Sequence, residues 1–409
     1  MYSPESSTPL SRRSFMTAAA ASLAAPSILG AAQPESSKSA SLLRIGVIGG
    51  RFGASFYWHE HPNCRVSAVC DILDGPLDNL KRTYRCDKAY KDWREMLKDR
   101  EVDAVAVFTP APLHVEMAVA SMKAGKHVIS AVPAGINEEG CRELMEAVRS
   151  TGMTYMMAET SFYRREIISC REWAQEKKFG EIIYSEAEYH HDGLEPLMFE
   201  ADGRPTWRHC FPPLLYPTHC TGMIVPVTGE RLTEVTAVGW GDDSPYLKNN
   251  AYNNPFWSET AFFKTSGGHA ARVSVFWRVA SGGTERGQFL GTQMSYFMPR
   301  PEDEGKPGIQ AVRTGEKQVR NLYTESRVDM QPRELPNRWE LLPEPLRHDS
   351  GHGGSHTFIT HEFVDAVLSR RQPTVNIYEA LAYTVPGIYA HRSALEGGVS
   401  LKIPDLGRS

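Results

Sequence analysis

The sequence predicts an α/β domain with a parallel sheet, followed by an α+β domain on a large, mostly antiparallel sheet. Three observations predict it. Between residues 42 and 160, apolar runs of strand length alternate with helical patterns, which is the signature of right-handed βαβ units. Beyond Phe162 several strand-like runs follow one another with few helical patterns between them, as in a sheet with one face on a core. The chain has 409 residues, enough for two domains of ordinary size.

The first domain reads in order. Leu42–Ile48 is a continuous apolar run that stops at Gly49-Gly50, a buried parallel strand. Val66–Ile72, Val102–Thr109, His127–Ala131 and Thr154–Ala158 are the next four strands. Helical patterns fall at Pro76–Tyr84, Trp93–Lys98, His114–Ala124 and Glu138–Ser150. The second domain, 161–409, opens with a helix over Arg164–Glu176. Its strand-like runs are Ile182–Tyr189, Arg231–Gly239, Glu259–Thr265, His269–Trp277, Glu285–Gly291 and Met294–Phe297. Pro299–Met330 is polar and Gly-rich and reads as a loop excursion. Two helices, His356–Leu368 and Ile377–Ser393, close the chain.

The N-terminus reads as an address. Arg12-Arg13 is followed by Ser14-Phe15-Met16, an Ala-rich apolar run to Leu29, and the small residues Gly30-Ala31-Ala32. Residues 1–32 thus resemble a twin-arginine signal, 33–41 a Ser-rich linker, and the mature protein is expected outside the cytoplasm. No later run of eighteen apolar residues predicts a membrane span. Net charge is −4 with no basic stripe, which argues against a nucleic-acid partner. The seven cysteines show neither a CxxC pair nor zinc spacing. Adjacent His190, His191 and Asp192 alternate faces in a strand, so no metal site is expected.

The turn after the first strand carries the first chemistry. Gly49, Gly50, Arg51, Phe52 and Gly53 follow Ile48 directly. Glycines there let backbone amides approach a pyrophosphate at the start of the next helix. The spacing departs from G-x-G-x-x-G, because Arg51 stands at the second glycine position and Gly53 comes early. A shorter turn on Gly50 and Gly53 is one reading; a glycine-rich turn without a ligand is the other. Asp71 ends the second strand 22 residues after Gly49. A carboxylate at that place accepts ribose hydroxyls and favours NAD over NADP, though a helix N-cap also explains an aspartate. The pattern is that of a Rossmann domain over 42–160.

Several segments together resemble the Gfo/Idh/MocA oxidoreductases. They are Thr109-Pro110 with His114 and Ala118, then Ala124-Gly125-Lys126-His127-Val128, and near the end Glu362 to Ala366, Pro373, Ala380, Gly387, His391-Arg392-Ser393 and Ile403-Pro404-Asp405. The resemblance implies a bound NAD held by the glycine turn, Asp71, Thr109, Pro110, His114, Val132 and Pro133. That family carries Glu-Lys-Pro after the fourth strand, where this chain has Ala131-Val132-Pro133. Valine moves no proton, so lysine-assisted oxidation does not carry over. A narrower resemblance is to the NAD-dependent α-N-acetylgalactosaminidase branch, on Met156 to Glu159, Tyr163, Phe179 to Ile182, Tyr189 to Asp192, Trp207-Arg208 and Tyr216-Pro217-Thr218-His219. It implies His219, Tyr216 and Tyr163 as catalytic residues, and His191, Trp207, Arg208 and Glu159 as sugar contacts. The branch also carries a carboxylate where this chain has Ala131. The family's habit of association implies a homo-oligomer.

The chemistry implied by the branch is redox-neutral glycoside cleavage through transient oxidation at carbon 3 of the sugar. It needs acid–base groups rather than two carboxylates flanking the bond. A neutral imidazole and a phenol can supply them. A sugar dehydrogenase with His219 as its base, and a sugar-binding protein without catalysis, remain open on the sequence.

Overall fold

A computed structural model describes residues 42–407, except 192, 281–283, 304, 321 and 322, and the side chains of 316–320 and 323–326. The expected export signal, 1–32, and the expected linker, 33–41, lie outside the described residues. The first sheet has the order β3-β2-β1-β4-β5-β6. Its strands are β1 (Leu43–Ile48), β2 (Cys64–Cys70), β3 (Ala89–Tyr90), β4 (Ala104–Val107), β5 (His127–Ser130) and β6 (Tyr155–Met157). Every pairing is parallel. Helices α1 (Asp74–Tyr84), α2 (Trp93–Leu97), α3 (His114–Lys123) and α4 (Glu138–Thr151) connect them. β4 is buried at every residue, as apolar Ala and Val allow in a sheet covered on both faces. α4 shows how local chemistry sets the ends. Asn137 caps it by accepting the Gly140 amide, and Gly152 stops it in the left-handed conformation.

No long helix joins β1 to β2. The link is short, and it folds into the 3₁₀ turns Phe52–Ser55 and Trp58–Glu60. Phe56 and Trp58 are fully buried there, so core aromatics replace a helix face.

The second part begins with α5 (Arg165–Gln175), β7 (Ile182–His190) and α6 (Thr218–Thr228), followed by β8 (Leu232–Trp240), β9 (Ser258–Thr265), β10 (Ala270–Phe276) and β11 (Thr284–Gly291). β12 (Met294–Phe297), β13 (Gly308–Arg320), β14 (Tyr323–Arg333), α7 (Gly351–Leu368), α8 (Ile377–Leu395) and β15 (Leu401–Lys402) complete it. The strands form one sheet in the order β14-β13-β12-β11-β7-β10-β9-β8-β15. All pairs are antiparallel except β7 with β10. Helices α6 and α8 cover one face, and α8 also packs on β6 and α4 of the first sheet. The other face exposes Val238, Trp240 and Phe262.

Two expectations are corrected. Pro299–Met330 is not a loop: much of it forms the edge ribbon β13–β14. Its described side chains are largely exposed, so no hydrophobic alternation marks it. The helix α6 is absent from the sequence reading because Thr218–Thr228 is buried nearly all round and therefore shows no amphipathic period.

The segment that leads into α6 is pinned from behind. The carboxylate of Glu259, fully buried on β9, accepts the Leu214 amide (2.8 Å) and contacts His391 Nδ1 on α8 (2.8 Å). A Cβ at Gly387 of α8 would lie 2.1 Å from the Leu214 carbonyl and 2.4 Å from the Pro217 ring. Helix and segment thus touch through a glycine. Gly387→Ala is expected to lower unfolding free energy by about 1–3 kcal/mol, measured by urea denaturation of the two proteins side by side.

Candidate active site

The site lies at the carboxyl ends of the first sheet, where open parallel sheets bind ligands. β1 runs into Gly49, which has φ +99°. A Cβ there would sit 2.1 Å from the Phe108 carbonyl, and one at Gly50 would sit 2.0 Å from the Pro76 carbonyl. These two glycines let β1, the end of β4 and the start of α1 converge. Gly53 serves packing: it is buried, and its missing Cβ leaves room for Phe108 and Val47. The 3₁₀ turn starts here, and the first amides of a helical turn find no acceptors inside it. Those of Arg51, Phe52 and Gly53 stand at that start, with the Arg51 side chain exposed.

Asp71 links the turn to β2. Its Oδ2 accepts the Gly50 amide (2.7 Å) and its Oδ1 the Leu73 amide (2.9 Å). The carboxylate therefore does what a cap does, and each oxygen keeps a further lone pair for a hydroxyl. Ile72, 77% exposed beside it, forms an apolar shelf. Amides at the start of a turn, a carboxylate at the end of β2 and an adjacent apolar shelf fit the adenosine diphosphate half of a dinucleotide. Thr109 and Pro110 are half-buried at the end of β4, and Val132 and Pro133 are buried after β5. One expected contact is overturned. His114 is buried and its two nitrogens face the carbonyls of Pro133 and Thr109, both at 2.8 Å. It clasps the two loops together and has no nitrogen left for a cofactor.

Across the crevice, α6 presents His219. Its Nδ1 lies 3.0 Å from Glu159 Oε1 and 3.6 Å from Glu285 Oε1. Glu159 is fully buried just after β6 and also accepts the Ser161 amide (2.8 Å). Expected as a sugar contact, it holds the imidazole through Oε1 in this structure. Glu285 on β11 takes the Ser161 hydroxyl and pairs with Arg164. Burial alone would raise the Glu285 pKa, but Arg164 and His219 outweigh it and hold the carboxyl at about 2. Burial alone would lower His219, and the two carboxylates reverse this, so its pKa is raised. The carboxylates face Nδ1, which leaves Nε2 as the nitrogen free to meet a ligand.

Around that imidazole lies an aromatic wall. Tyr189 is 4.6 Å and Tyr216 is 5.3 Å from His219, ring to ring. Burial raises both phenols, which stay protonated at neutral pH. Tyr189, His191, Leu194, Trp207, Arg208, Phe211, Tyr216 and Trp277 line one small pocket. The Arg208 guanidinium sits 4.3 Å over the Trp207 ring, and the Tyr252 hydroxyl fixes the Trp207 carbonyl (2.7 Å). The structure thus brings together Tyr216, His219, His191, Trp207 and Arg208. It does not bring Tyr163: that ring packs on Phe162 (4.8 Å) and is buried among Arg171, Glu362 and Thr374. Among the described residues no cluster suits a metal ion, and Asp192 lies outside them. Glu285, Ser161 and Arg164 carry no local signal in the sequence, and Tyr189 stands out there only within its motif.

With this geometry in place, similarity identifies the class. Residues 43–159 match the oxidoreductase family with the NAD-binding Rossmann fold, and residues 339–409 match the C-terminal domain of glycosyl hydrolase 109. The chain is thus similar to the Gfo/Idh/MocA oxidoreductases over its first domain and to the glycosyl hydrolase 109 proteins over its last segment. A glycosyl hydrolase family 109 protein of Solibacter usitatus is 26% identical over 90% of this chain and 88% of its own. An alpha-N-acetylgalactosaminidase of Tannerella forsythia is 24% identical over 91% and 87%. Among solved structures, levoglucosan dehydrogenase in complex with NADH and levoglucosan superposes with a TM-score of 0.70 at 18% identity, covering 89% of this chain and all (100%) of that one. Scyllo-inositol dehydrogenase from Lactobacillus casei, with NAD(H) and scyllo-inositol bound, gives 0.66 at 14% identity, covering 88% and 99%.

The buried charges predict a pH profile of stability. Glu285, depressed to about 2, contributes fully above the ordinary carboxylate pKa of 4.5 and loses that contribution as pH falls toward 2. His219, raised, contributes fully below its ordinary 6.5 and loses it as pH rises through the raised value. Stability is expected to peak between these limits, with an acid limb on the order of 3 kcal/mol from Glu285. Denaturant unfolding across pH should show Glu285→Gln flattening the acid limb and His219→Phe the alkaline one.

Proposed function

We propose that this chain is an exported NAD-dependent glycosidase that cleaves an α-N-acetylgalactosaminide-type sugar without net oxidation. The supporting observation is His219, held between two buried carboxylates with Nε2 left for a ligand, beside Tyr216 and an aromatic pocket. The glycine turn and Asp71 would hold the adenosine diphosphate half of NAD, and the cofactor's nicotinamide would supply a reversible acceptor for the hydride on carbon 3 of the sugar. His219 Nε2 takes the hydroxyl proton, and Glu159 and Glu285 stabilise the imidazolium that results. The Tyr216 phenol donates a hydrogen bond beside it. Trp207 offers the sugar a flat apolar face, and Arg208 and His191 offer polar contacts. Val132 contributes apolar lining and no proton. No carboxylate stands at Ala131; those of this site face His219 instead.

The twin-arginine pattern supports export. An exported enzyme that returns its cofactor to the starting state needs no second protein to reoxidise it, which favours the redox-neutral reading over the dehydrogenase one. The exposed Val238, Trp240 and Phe262 on the outer sheet face support a homo-oligomer joined there. Val238→Glu with Phe262→Glu is then expected to shift the protein to a smaller species in sedimentation.

The decisive assay pairs a chromogenic α-N-acetylgalactosaminide with absorbance at the reduced-nicotinamide band. The proposal expects the leaving group to accumulate while that band stays flat, and His219→Ala to lower kcat/KM by about 10²–10⁴-fold. A reduced-nicotinamide signal that grows with turnover assigns the dehydrogenase reading instead. Failure to bind NAD or sugar leaves neither.

A further inference from the structure

Trp207 and Arg208 stand on a stretch between β7 and α6 that has no helix or strand to hold it. Within it Cys210 takes a left-handed conformation, φ 55°, which a residue with a side chain keeps only when its surroundings impose it. Three carbonyls of the stretch are taken from outside. Trp277 Nε1, just after β10, donates to Phe211 (2.7 Å). Asn254 Nδ2 donates to Cys210 (3.1 Å), and the Tyr252 hydroxyl donates to Trp207 (2.7 Å). Tyr252 and Asn254 both belong to the connection from β8 to β9, residues 241–257.

That connection is fixed by its own hydrogen bonds. Asn250 and Asn254 are buried. Asn250 Oδ1 accepts the amides of Tyr252 (3.1 Å) and Asn254 (3.0 Å). Its Nδ2 donates to the carbonyls of Leu247 (3.1 Å) and Asn254 (2.8 Å), so the side chain uses its full capacity. Asn254 also accepts the Phe256 amide (3.0 Å) and donates to the Phe256 carbonyl (2.8 Å). Asn249 and Asn253 turn left-handed, with φ of 57° and 51°, a conformation asparagine tolerates. Tyr252 is thus carried on a rigid frame. Its ring meets Phe211 edge-on at 5.0 Å, and Phe211 meets Trp207 edge-on at 5.4 Å.

We propose that Tyr252 is a positioning residue for sugar recognition: its hydroxyl sets where Trp207 and Arg208 stand in the pocket. This rests on the proposed function. Freeing the Trp207 carbonyl moves the ring on which the sugar lies, together with the guanidinium stacked over that ring. The His219 cluster and the glycine turn belong to other elements and stay in place. Sugar binding weakens, while the chemical step and the hold on NAD persist.

Tyr252→Phe keeps the ring and removes only the hydroxyl. The test uses the full chain, saturated with NAD+, in two measurements. In fluorine NMR of fluorotryptophan-labelled protein, the Trp207 signal is assigned by its loss in Trp207→Phe. It is expected to shift in Tyr252→Phe while the signals of Trp58 and Trp93 in the first domain stay. On a chromogenic α-N-acetylgalactosaminide, KM is expected to rise about fivefold, with kcat and the NAD+ dissociation constant within about twofold of wild type. Because the hydroxyl acts through Trp207, adding Tyr252→Phe to Trp207→Ala is expected to change KM by less than about twofold. An unmoved Trp207 signal, an unchanged KM, a fall in kcat alone, or additive effects in the double variant overturns the inference and leaves the proposed function standing. A wild-type protein that binds NAD+ but releases no leaving group overturns both.

Discussion

The structure turns on a buried charge cluster at the junction of its two sheets. Glu159 comes from the end of β6, His219 from α6, Glu285 from β11 and Arg164 from the start of α5. Each alone is costly to bury, and together their attractions offset the loss of water only because the geometry is close. The cluster therefore fixes the position of the second sheet's helices on the first sheet's strand ends. The same arrangement decides the chemistry: carboxylates bind one edge of the imidazole, so the opposite nitrogen is the one presented to a ligand.

The glycine turn obeys a different constraint. In a longer connection a helix would bring its N-terminus to the phosphates. Here Phe56 and Trp58 fill the space, and what remains for an anion is one short turn with its leading amides. Asp71 compensates by tying that turn to β2, which holds the backbone in place before any ligand arrives. The aromatic side chains of the turn also form the floor against which His352 stands. The C-terminal segment that resembles glycosyl hydrolase 109 thereby becomes part of the dinucleotide crevice rather than a separate module.

Much of this was legible in residue order. The parallel sheet was readable because each strand is a short apolar run closed by a turn signal. Tyr216 and His219 were readable as a pair through their resemblance to a motif. Other features left no local trace. α6 is apolar on every side, so it lacks the period that marks a helix, although it carries His219. The ribbon β13–β14 is exposed, so it lacks the alternation that marks a strand. Glu285 is one of 49 acidic residues, and its partner Arg164 lies 121 positions away.

Residue order by itself determined the class of fold, the place of the glycine turn and the absence of a lysine or carboxylate at 131 and 132. These follow from local periodicity, backbone freedom and side-chain identity, none of which needs a partner far along the chain. Tertiary structure alone decided that Glu159 grips His219, that His114 clasps two loops, that Tyr163 turns inward and that Tyr252 holds the Trp207 carbonyl. Those outcomes depend on distances between residues remote in sequence, set by how two sheets pack and which charges burial forces together.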